Sequence, residues 1–390
     1  MRNDYKVLGN YIQLVDCRNR DLSITNLLGV SIEKRFIPSI ANIVGTDLSS
    51  YKVVRTGQFA YGPVTSRNGE KISIAYLDGE DCIISSSYTV FEVCKKDELD
   101  PEYLMLWFSR PEFDRYARYK SHGSVREIFD WNELCMVELP VPEIEAQRNI
   151  VKAYKTITDR IALKRQINDN LVNVGVASIQ KNIGKGALIN LTDSEMENLV
   201  LKDGFSIKTV ADFCFDTKSG STPSRTNNEF WEGGTISWVK SGEVHNNITL
   251  KTEECITQEG LDGSSTKLLP KDTVLMAMYG VTAGEVGYLA IEATTNQAIC
   301  GMICHTKAEA AYLYFSLIQS QAAISRLSNG GAQDNLSKNF IDGINLVVPP
   351  TELIESLNLS AIIEQMTLNT QEIYILEELQ ATALAQLSSR

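Results

Sequence analysis

Side chains suited to nucleic-acid contacts are concentrated in a few polar loops of the sequence. One loop reads Thr-Ser-Arg-Asn-Gly over 65–69, and another reads Ser-Gly-Ser-Thr-Pro-Ser-Arg over 219–225. A third group consists of closely spaced cations: Arg115, Arg118, Lys120 and Arg126. Arginine reads guanine O6 and N7, asparagine reads adenine, and hydroxyl groups anchor phosphates. These loops predict DNA contacts, although exposed turns carry the same residue types for structural reasons.

Catalytic patterns are absent from the sequence. It contains no GxxxxGKS/T phosphate loop, no GxGxxG after a strand, no HExxH, no GxSxG and only three histidines. Val348-Pro349-Pro350 lacks the Asn of the Asn-Pro-Pro-aromatic motif of amino-methyltransferases. We therefore expect no catalytic residues. The alternative is a single-chain nuclease or methyltransferase whose site has no linear motif.

The eight cysteines stand singly, without a CxxC pair. The nearest approach to a metal motif is Cys300, Cys304 and His305, which has no fourth ligand at suitable spacing. We therefore expect no metal site, and reduced, mostly buried thiols of the kind found in cytosolic proteins.

Length and composition are those of a globular protein with two or three domains: 390 residues, 43% hydrophobic and 22% charged. The net charge of −12 argues against a protein that coats nucleic acid regardless of sequence. Residues 1–71 have 10 basic and 6 acidic side chains, a net of +4, whereas 181–390 have 14 and 25, a net of −11. With no signal peptide and no membrane-length apolar run, we expect a cytoplasmic protein.

Several short patterns occur twice, in the same order. Ser-His-Gly-Ser at 121–124 and Leu-Pro-Val-Pro at 139–142 are matched by Ser-Asn-Gly-Gly at 328–331 and Leu-Val-Val-Pro-Pro at 346–350. The offset is 207 residues at both places. Four such matches in register, including an aromatic helical segment upstream, predict an internal duplication of a mixed helix and strand unit.

A helical segment with an apolar stripe follows each proline pair. The stripe residues recur at steps of three and four: Ile150, Tyr154, Ile157 and Ile161, then Leu359, Ile362, Met366, Ile373 and Leu376. Lys164 and Asn168 interrupt the first stripe, and Asn369 and Gln380 the second. Two heptad stripes in equivalent positions predict two long helices that pack together as an antiparallel coiled coil. Gly175 is a candidate end or kink of the first helix.

The residues resemble the specificity (S) subunit of type I restriction–modification systems. The resemblance rests on KSGSTPSRTNNEFW at 218–231, ISWVKSGE at 236–243, FAYGPVTSRNG at 59–69 and PEIEAQRNI at 142–150, and on Asn296-Gln297-Ala298 and Asn335-Leu336-Ser337. In that family, target recognition domains alternate with spacer helices. The resemblance therefore implies an α+β fold in which two similar recognition domains are separated by the two long helices.

The boundaries expected from this resemblance follow the prolines and the glycine-rich linker. We assign target recognition domain 1 to 1–142, a central spacer helix to 143–183, a linker to 184–203, target recognition domain 2 to 204–350 and a C-terminal spacer helix to 351–390. The second copy begins its helix with Pro350-Thr-Glu-Leu-Ile-Glu-Ser-Leu, without the Gln-Arg pair of the first. We therefore expect its helix start to pack differently.

The resemblance also implies a function and its partners. Each recognition domain is expected to read one half of a bipartite, asymmetric double-stranded DNA site, and the helices to dock two methyltransferase (M) subunits. Restriction (R) subunits would join the complex. S-adenosylmethionine would be bound by the M subunits, and ATP and Mg by the R subunits, with no cofactor in this chain. The alternative is a coiled-coil protein-interaction scaffold without sequence-specific DNA binding.

The candidate DNA-binding residues combine these loops with the positions that the resemblance adds. They are Tyr61, Ser66, Arg67, Asn68, Arg115, Arg118, Lys120, Ser124, Arg126, Ser221, Thr222, Ser224, Arg225, Lys240, Tyr279, Thr282, Asn335 and Lys338. The stripe residues named above form the expected helix-pair seam. For Arg67→Ala we expect a loss of about 1–3 kcal/mol at one half-site only, if Arg67 contacts guanine with both nitrogens.

Overall fold

The computed structural model describes residues 5–39, 45–66, 68–123, 126–189, 199–245, 247–329 and 335–387. By its internal contacts the chain divides into two compact units. Unit 1 comprises Met1–Ile161 and Leu376–Arg390, and unit 2 comprises Ala162–Ile375. Both units combine sheets with helices, as expected for the α+β class.

Unit 1 is built from short strands that are separated by turns and loops. Its strands are β1 (Tyr5–Val7), β2 (Ile12–Val15), β3 (Leu28–Val30), β4 (Phe36–Pro38), β5 (Lys52–Val54), β6 (Phe59–Tyr61), β7 (Ile74–Tyr76), β8 (Cys82–Ile84), β9 (Thr89–Val93) and β10 (Glu138–Pro140). Its short helices are α1 (Pro101–Phe108), α2 (Pro111–Tyr119) and α3 (Trp131–Cys135). The largest sheet has four antiparallel strands in the order β2-β9-β6-β7.

Aromatic side chains hold α1 against this sheet. Phe59 of β6 stacks on Phe91 of β9 with ring centroids 4.9 Å apart, and Phe108 of α1 packs edge-on against both rings. Helix α1 begins at Pro101 because the Asp100 carboxylate caps it, accepting hydrogen bonds from two first-turn N–H groups. The sheet and helix together form a rigid base for the loops that leave the strand ends.

The remaining helices and strands lie mainly in unit 2. The helices are α4 (Ile144–Asn182), α5 (Val210–Phe213), α6 (Gln258–Asp262), α7 (Lys307–Asn329), α8 (Lys338–Asp342), α9 (Thr351–Ser356) and α10 (Leu359–Gln386). The strands are β11 (Ala187–Leu188), β12 (Ser206–Thr209), β13 (Asp216–Ser219), β14 (Ile236–Val239), β15 (Ile248–Thr249), β16 (Glu254–Ile256), β17 (Thr273–Ala277), β18 (Val286–Leu289), β19 (Thr294–Thr295), β20 (Ile299–Ile303) and β21 (Asn345–Val348). Helices α4 and α10 each contribute residues to both units.

The predicted duplication is visible in the topology. Unit 2 has a sheet of order β13-β20-β17-β18-β15, in which the first four strands correspond to β2-β9-β6-β7 of unit 1. The pair β1-β10 corresponds to β12-β21, to which unit 2 adds β11. A buried tyrosine marks the same place in each copy: Tyr103 donates its hydroxyl to the Pro140 carbonyl at 3.1 Å, and Tyr312 donates to Val347.

Helix α4 is one continuous helix of 39 residues. The helix does not end at Gly175, because it passes through this position, and a kink there stays a prediction. The glycine is required by packing instead: a Cβ at Gly175 would lie inside van der Waals contact of the Phe315 ring of α7. At position 175, close approach between two helices therefore outweighs the weak helix propensity of glycine.

In unit 1, the start of α4 packs beside the end of α10. Gln380 of α10 donates a hydrogen bond to Thr158 Oγ1 of α4 at 2.7 Å. Nearer the start of α4, Tyr154 and Leu384 line one apolar cavity of 560 Å³. Residue numbers on α10 rise as those on α4 fall, so the two segments run antiparallel.

In unit 2, the second part of α4 packs beside the start of α10. Lys164 lies 2.8 Å from the Glu372 carboxylate, and Asn168 donates to the Met366 carbonyl at 3.4 Å. These segments are antiparallel too, as the sequence predicts. The residues that interrupt the apolar stripes, including Gln380 and Lys164, make these polar contacts.

The two helix starts differ, as the missing Gln-Arg pair predicts. In unit 1, the fully buried Gln147 donates to the carbonyls of Glu98 and Pro142, both at 2.7 Å, and accepts from the Asp100 N–H at 2.9 Å. Ile354 stands at the equivalent position 207 residues later and is buried in the apolar core of unit 2. The second helix is then interrupted between α9 and α10, where Asn358 has a φ of 51°.

Candidate nucleic-acid interface

In unit 1, the loop between β6 and β7 packs against the segment that follows α2. The Thr65 N–H donates to the Glu127 carbonyl at 2.9 Å, and the Thr65 hydroxyl donates to Ser121 Oγ at 2.9 Å. Together with an antiparallel bridge between Val64 and Ile128, these bonds join the two loops. We call the polar side chains that they gather the unit 1 loop surface: Ser66, Asn68, Arg118, Lys120, His122 and Arg126. Arg67 and Ser124 are also candidates but lie outside the described residues.

Most cations among the unit 1 candidates are paired with carboxylates. Arg118 bonds Glu127, the Lys120 ammonium lies 3.3 Å from Glu133, and Arg115 lies 3.1 Å from Glu112. The Glu133 carboxylate, as the acceptor of a hydrogen bond from the ammonium, raises the pKa of Lys120. Among the described residues of unit 1, the exposed Arg126 is the candidate cation that makes no ion pair.

Two candidates lie in the protein interior, and we correct their assignment. Tyr61 is 1% exposed, with its ring edge-on to Phe91 and Phe129, and burial raises the pKa of its hydroxyl. Thr282 is 5% exposed and donates to the Ser241 carbonyl at 3.2 Å. In the sequence, both residues lie near the end of a strand, where side chains of an exposed loop are expected. Tertiary packing instead turns them inward, so neither side chain is available to DNA in this conformation.

In unit 2, several loops meet at neighbouring strand ends. The Ser221 N–H donates to the Thr295 carbonyl at 2.9 Å, and Asn296 N–H to the Val239 carbonyl at 2.9 Å. The Leu336 N–H donates to the Met278 carbonyl at 2.9 Å. These bonds, and that of Thr282, gather what we call the unit 2 loop surface: Ser221, Thr222, Lys240, Tyr279, Val281 and Asn335.

Within the unit 2 loop surface, hydroxyl and amide side chains bond each other. The Thr222 hydroxyl donates to Gln297 Oε1 at 2.6 Å, and Ser221 Oγ accepts from Ser265 at 2.9 Å. Tyr279 and Asn335 are exposed, and so is Val281 at the tip of the β17–β18 loop. Sequence reasoning missed Val281 because an apolar side chain in a polar loop has no linear signal for base contact.

Arg225 makes two sets of contacts that could not be predicted from the sequence. Its guanidinium stacks on the rings of Trp231 and Trp238, 3.7 and 4.9 Å from their centroids. The same group bonds both oxygens of Glu254, at 3.2 and 2.6 Å. The Arg225 guanidinium, by its hydrogen bond, holds the pKa of Glu254 below its ordinary value. Arg225 therefore organises its loop, and its contact with DNA stays a prediction.

The other cationic candidates of unit 2 are paired as well. Lys240 lies 2.5 Å from Glu253, whose hydrogen bond raises the pKa of Lys240. Lys338 lies 2.5 Å from Asp342 and donates to Thr217 Oγ1 at 2.6 Å. Ser224 shares a hydrogen bond of 2.9 Å with Thr226.

The stripe residues predicted to form the helix-pair seam differ in burial, and their assignment to that seam stays a prediction. Ile161, Leu359, Met366 and Ile373 are buried, whereas Ile150, Tyr154, Ile157, Ile362 and Leu376 are half-buried. Ile363, which the stripe omitted, is 1% exposed and belongs to the core of unit 2. Leu359, Ile363 and Met366 follow helical steps of four and three along one buried face of α10.

Within the described ranges, no three His, Cys, Asp or Glu side chains are grouped so as to hold a metal ion. No helix in the described part of the chain is both long and apolar enough to cross a membrane.

Comparison with known proteins places the chain in a family. A model described as "Type I restriction modification DNA specificity domain" matches residues 48–173 and 202–378. The specificity subunit of the type I restriction enzyme EcoR124I/EcoR124II from Escherichia coli is 27% identical over 135 residues. That match spans 33% of this chain and 33% of the relative, so the chain aligns with a third of the relative's length.

One solved structure supports the fold. The S subunit of a type I restriction–modification system from M. genitalium aligns with 98% of this chain and 95% of its own, with a TM-score of 0.55 and 14% identity. The HsdS subunit from Thermoanaerobacter tengcongensis aligns over 98% and 95%, with a TM-score of 0.37 and 15% identity. Because the two ranges matched by the family model span most of the 390 residues, the chain belongs to the type I restriction–modification DNA specificity family, whose specificity subunits are non-catalytic.

Proposed function

We propose that this chain recognises a bipartite, asymmetric DNA sequence, with one unit reading each half of the site. The observation that carries the proposal is the pair of topologically equivalent sheets, whose equivalent hairpin loops hold different side chains. The β6–β7 loop presents Ser66 and Asn68, and the β17–β18 loop presents Tyr279 and Val281. Because base readout depends on the side chains that reach the groove, different loops imply different half-sites.

We propose further that helices α4 and α10 set the gap between the half-sites. Two readers that engage one face of the duplex must stand about one helical turn, ~34–36 Å, apart or a multiple of it. A helix of 39 residues spans about 58 Å at ~1.5 Å per residue, which is long enough for this purpose. Antiparallel contacts between the two helices, found within each unit, support their role as a pair.

The proposed partners are two methyltransferase subunits, which dock on the long helices, and restriction subunits that join them. Support comes from large apolar side chains that remain about half exposed on α4 and α10: Leu163, Val174, Leu368, Ile375 and Leu379. Exposed apolar side chains in such number on two neighbouring elements favour a protein-binding surface. S-adenosylmethionine, ATP and Mg would be bound by these partners, and the complex would act in the cytoplasm.

The experiment is a DNA-binding assay on the chain co-purified with its methyltransferase partner. We expect sequence-specific retention of duplexes that contain the modified motif, and loss of that retention when either half-site is scrambled. Binding that is indifferent to sequence, or no DNA binding beside stable protein assembly, would favour the coiled-coil scaffold instead.

A further inference from the structure

Most cations of the two loop surfaces, with Arg126 as the exception in unit 1, are held by carboxylates of the same unit. In unit 1 the pairs are Arg118–Glu127 and Lys120–Glu133. In unit 2, Lys240 pairs with Glu253 on the loop surface, and Arg225 with Glu254 beside it. A surface that is to meet a polyanion thus has most of its positive charges neutralised in advance, in a chain whose net charge is −12.

The two carboxylates of unit 1 are placed by the backbone. The Glu127 carbonyl accepts from both the N–H and the hydroxyl of Thr65, at 2.9 and 3.2 Å, which fixes the residue beside the β6–β7 loop. Glu133 lies in the first turn of α3, where its N–H donates to the capping Asp130 carboxylate at 2.9 Å. The Glu133 side chain is largely covered and lies between Lys120 and His122, at 3.3 and 3.9 Å.

Such pairing affects phosphates and base edges differently. A phosphate that approaches Lys120 or Arg118 must displace a carboxylate and then remain close to it, and like charges about 4 Å apart repel by about 1 kcal/mol even in water. A base edge is neutral, and the amino groups of cytosine and adenine can donate hydrogen bonds to a carboxylate. Phosphate contacts supply non-specific affinity, so the carboxylates weaken non-specific binding most.

We propose that Glu127 and Glu133 are specificity residues that suppress binding to non-cognate DNA by competing with phosphates for Arg118 and Lys120. The proposal rests on the DNA-binding function proposed above. It also accounts for an acidic protein that reads DNA, because sequence-independent attraction would trap it on the excess of wrong sites.

The test uses the complete complex with the methyltransferase subunits and two duplexes of equal length. One contains the motif found by sequencing modified adenines in the host, and the other has both half-sites scrambled. Glu127→Gln and Glu133→Gln keep the side-chain shape and remove the charge. For each variant we expect two- to tenfold tighter binding to the scrambled duplex. This range corresponds to about 0.4–1.4 kcal/mol, the size expected for an ion pair near the surface and for local repulsion.

The cognate duplex should gain less than the scrambled one, so the ratio of the two affinities falls. The affinity of each variant for scrambled DNA should fall more steeply with salt concentration than that of the parent. The difference in slope should correspond to about one additional released counterion. The matched control is Asp16→Asn, which removes an exposed carboxylate that pairs with Arg18 at 2.9 Å outside the loop surface. It should leave both affinities unchanged. If Glu133→Gln fails to fold, Glu127→Gln and Glu253→Gln carry the test.

Two results would overturn the proposal: unchanged or weaker binding of the variants to scrambled DNA, or an equal gain on both duplexes. Failure of the proposed DNA-binding function can be distinguished from failure of this proposal. In that case the complex without substitutions would not discriminate between the two duplexes at all.

Discussion

Asn369 of α10 donates a hydrogen bond to Asn168 Oδ1 of α4 at 2.8 Å, although Asn369 is only 1% exposed. Its own Oδ1 accepts from Lys164 at 3.0 Å and from Gln365 at 3.1 Å. Three of the four polar residues that interrupt the apolar stripes, Lys164, Asn168 and Asn369, therefore bond one another. A buried polar layer of this kind favours one helix register over others, because a shifted register would leave its groups unpaired.

Replacing Asn369 alone should be destabilising. Asn369→Leu removes the donor to Asn168 Oδ1 and one of the two acceptors of Lys164, and an unsatisfied buried polar group costs about 1–3 kcal/mol. The double variant Asn168→Leu/Asn369→Leu should recover at least half of that loss, since apolar groups then face each other. Urea unfolding of the full chain measures both. A double variant less stable than the single one would show that the layer is not self-contained.

The start of α4 should depend on one buried amide. Gln147→Ala removes three hydrogen bonds and leaves a cavity, so we expect a loss of about 2–4 kcal/mol in the unfolding free energy. The matched change in the second copy, Ile354→Val, should cost only about 0.5–1.5 kcal/mol. Similar losses for the two variants would contradict the view that the helix starts are held by different forces.

Gly175→Ala sets two effects against each other. Alanine improves helix propensity by about 0.8–1 kcal/mol, but its Cβ would clash with the Phe315 ring, and overpacking costs about 1–3 kcal/mol. We expect net destabilisation, with stability restored by Phe315→Leu in the same chain. The melting temperatures of the three proteins decide this, and a Gly175→Ala chain that melts above the parent would refute the packing explanation.

The long helices, the duplication and the loops that carry the candidate residues were predictable, because periodicity and repeated order are properties of the sequence itself. The inward orientation of Tyr61 and Thr282 was not, since it depends on strands that are distant in the chain. The pairing of Arg118 with Glu127 was equally hidden, although only nine residues separate them. Which of several nearby carboxylates a cation meets depends on loop geometry.

The Arg225–Glu254 pair predicts a pH dependence. Because the folded-state pKa of Glu254 lies below the ordinary value of 4.5, the stabilisation is present above that value and is lost as the pH falls through the folded-state pKa. Both side chains are about a third or more exposed, so it amounts to less than about 1 kcal/mol. Arg225→Met, which keeps packing on the tryptophans, should return the pKa of Glu254 towards 4.5 in an NMR titration. An unmoved pKa would exclude Arg225 as the cause.

The most direct test of split recognition is to sequence modified adenines in the genome of a host that carries the complete system. We predict one asymmetric motif with two defined parts and a constant gap between them. Exchanging the β17–β18 loop, residues 278–285, should change one part and leave the other part and the gap intact. A palindromic or uninterrupted motif, or a loop exchange that altered both parts together, would contradict the assignment of one half-site to each unit.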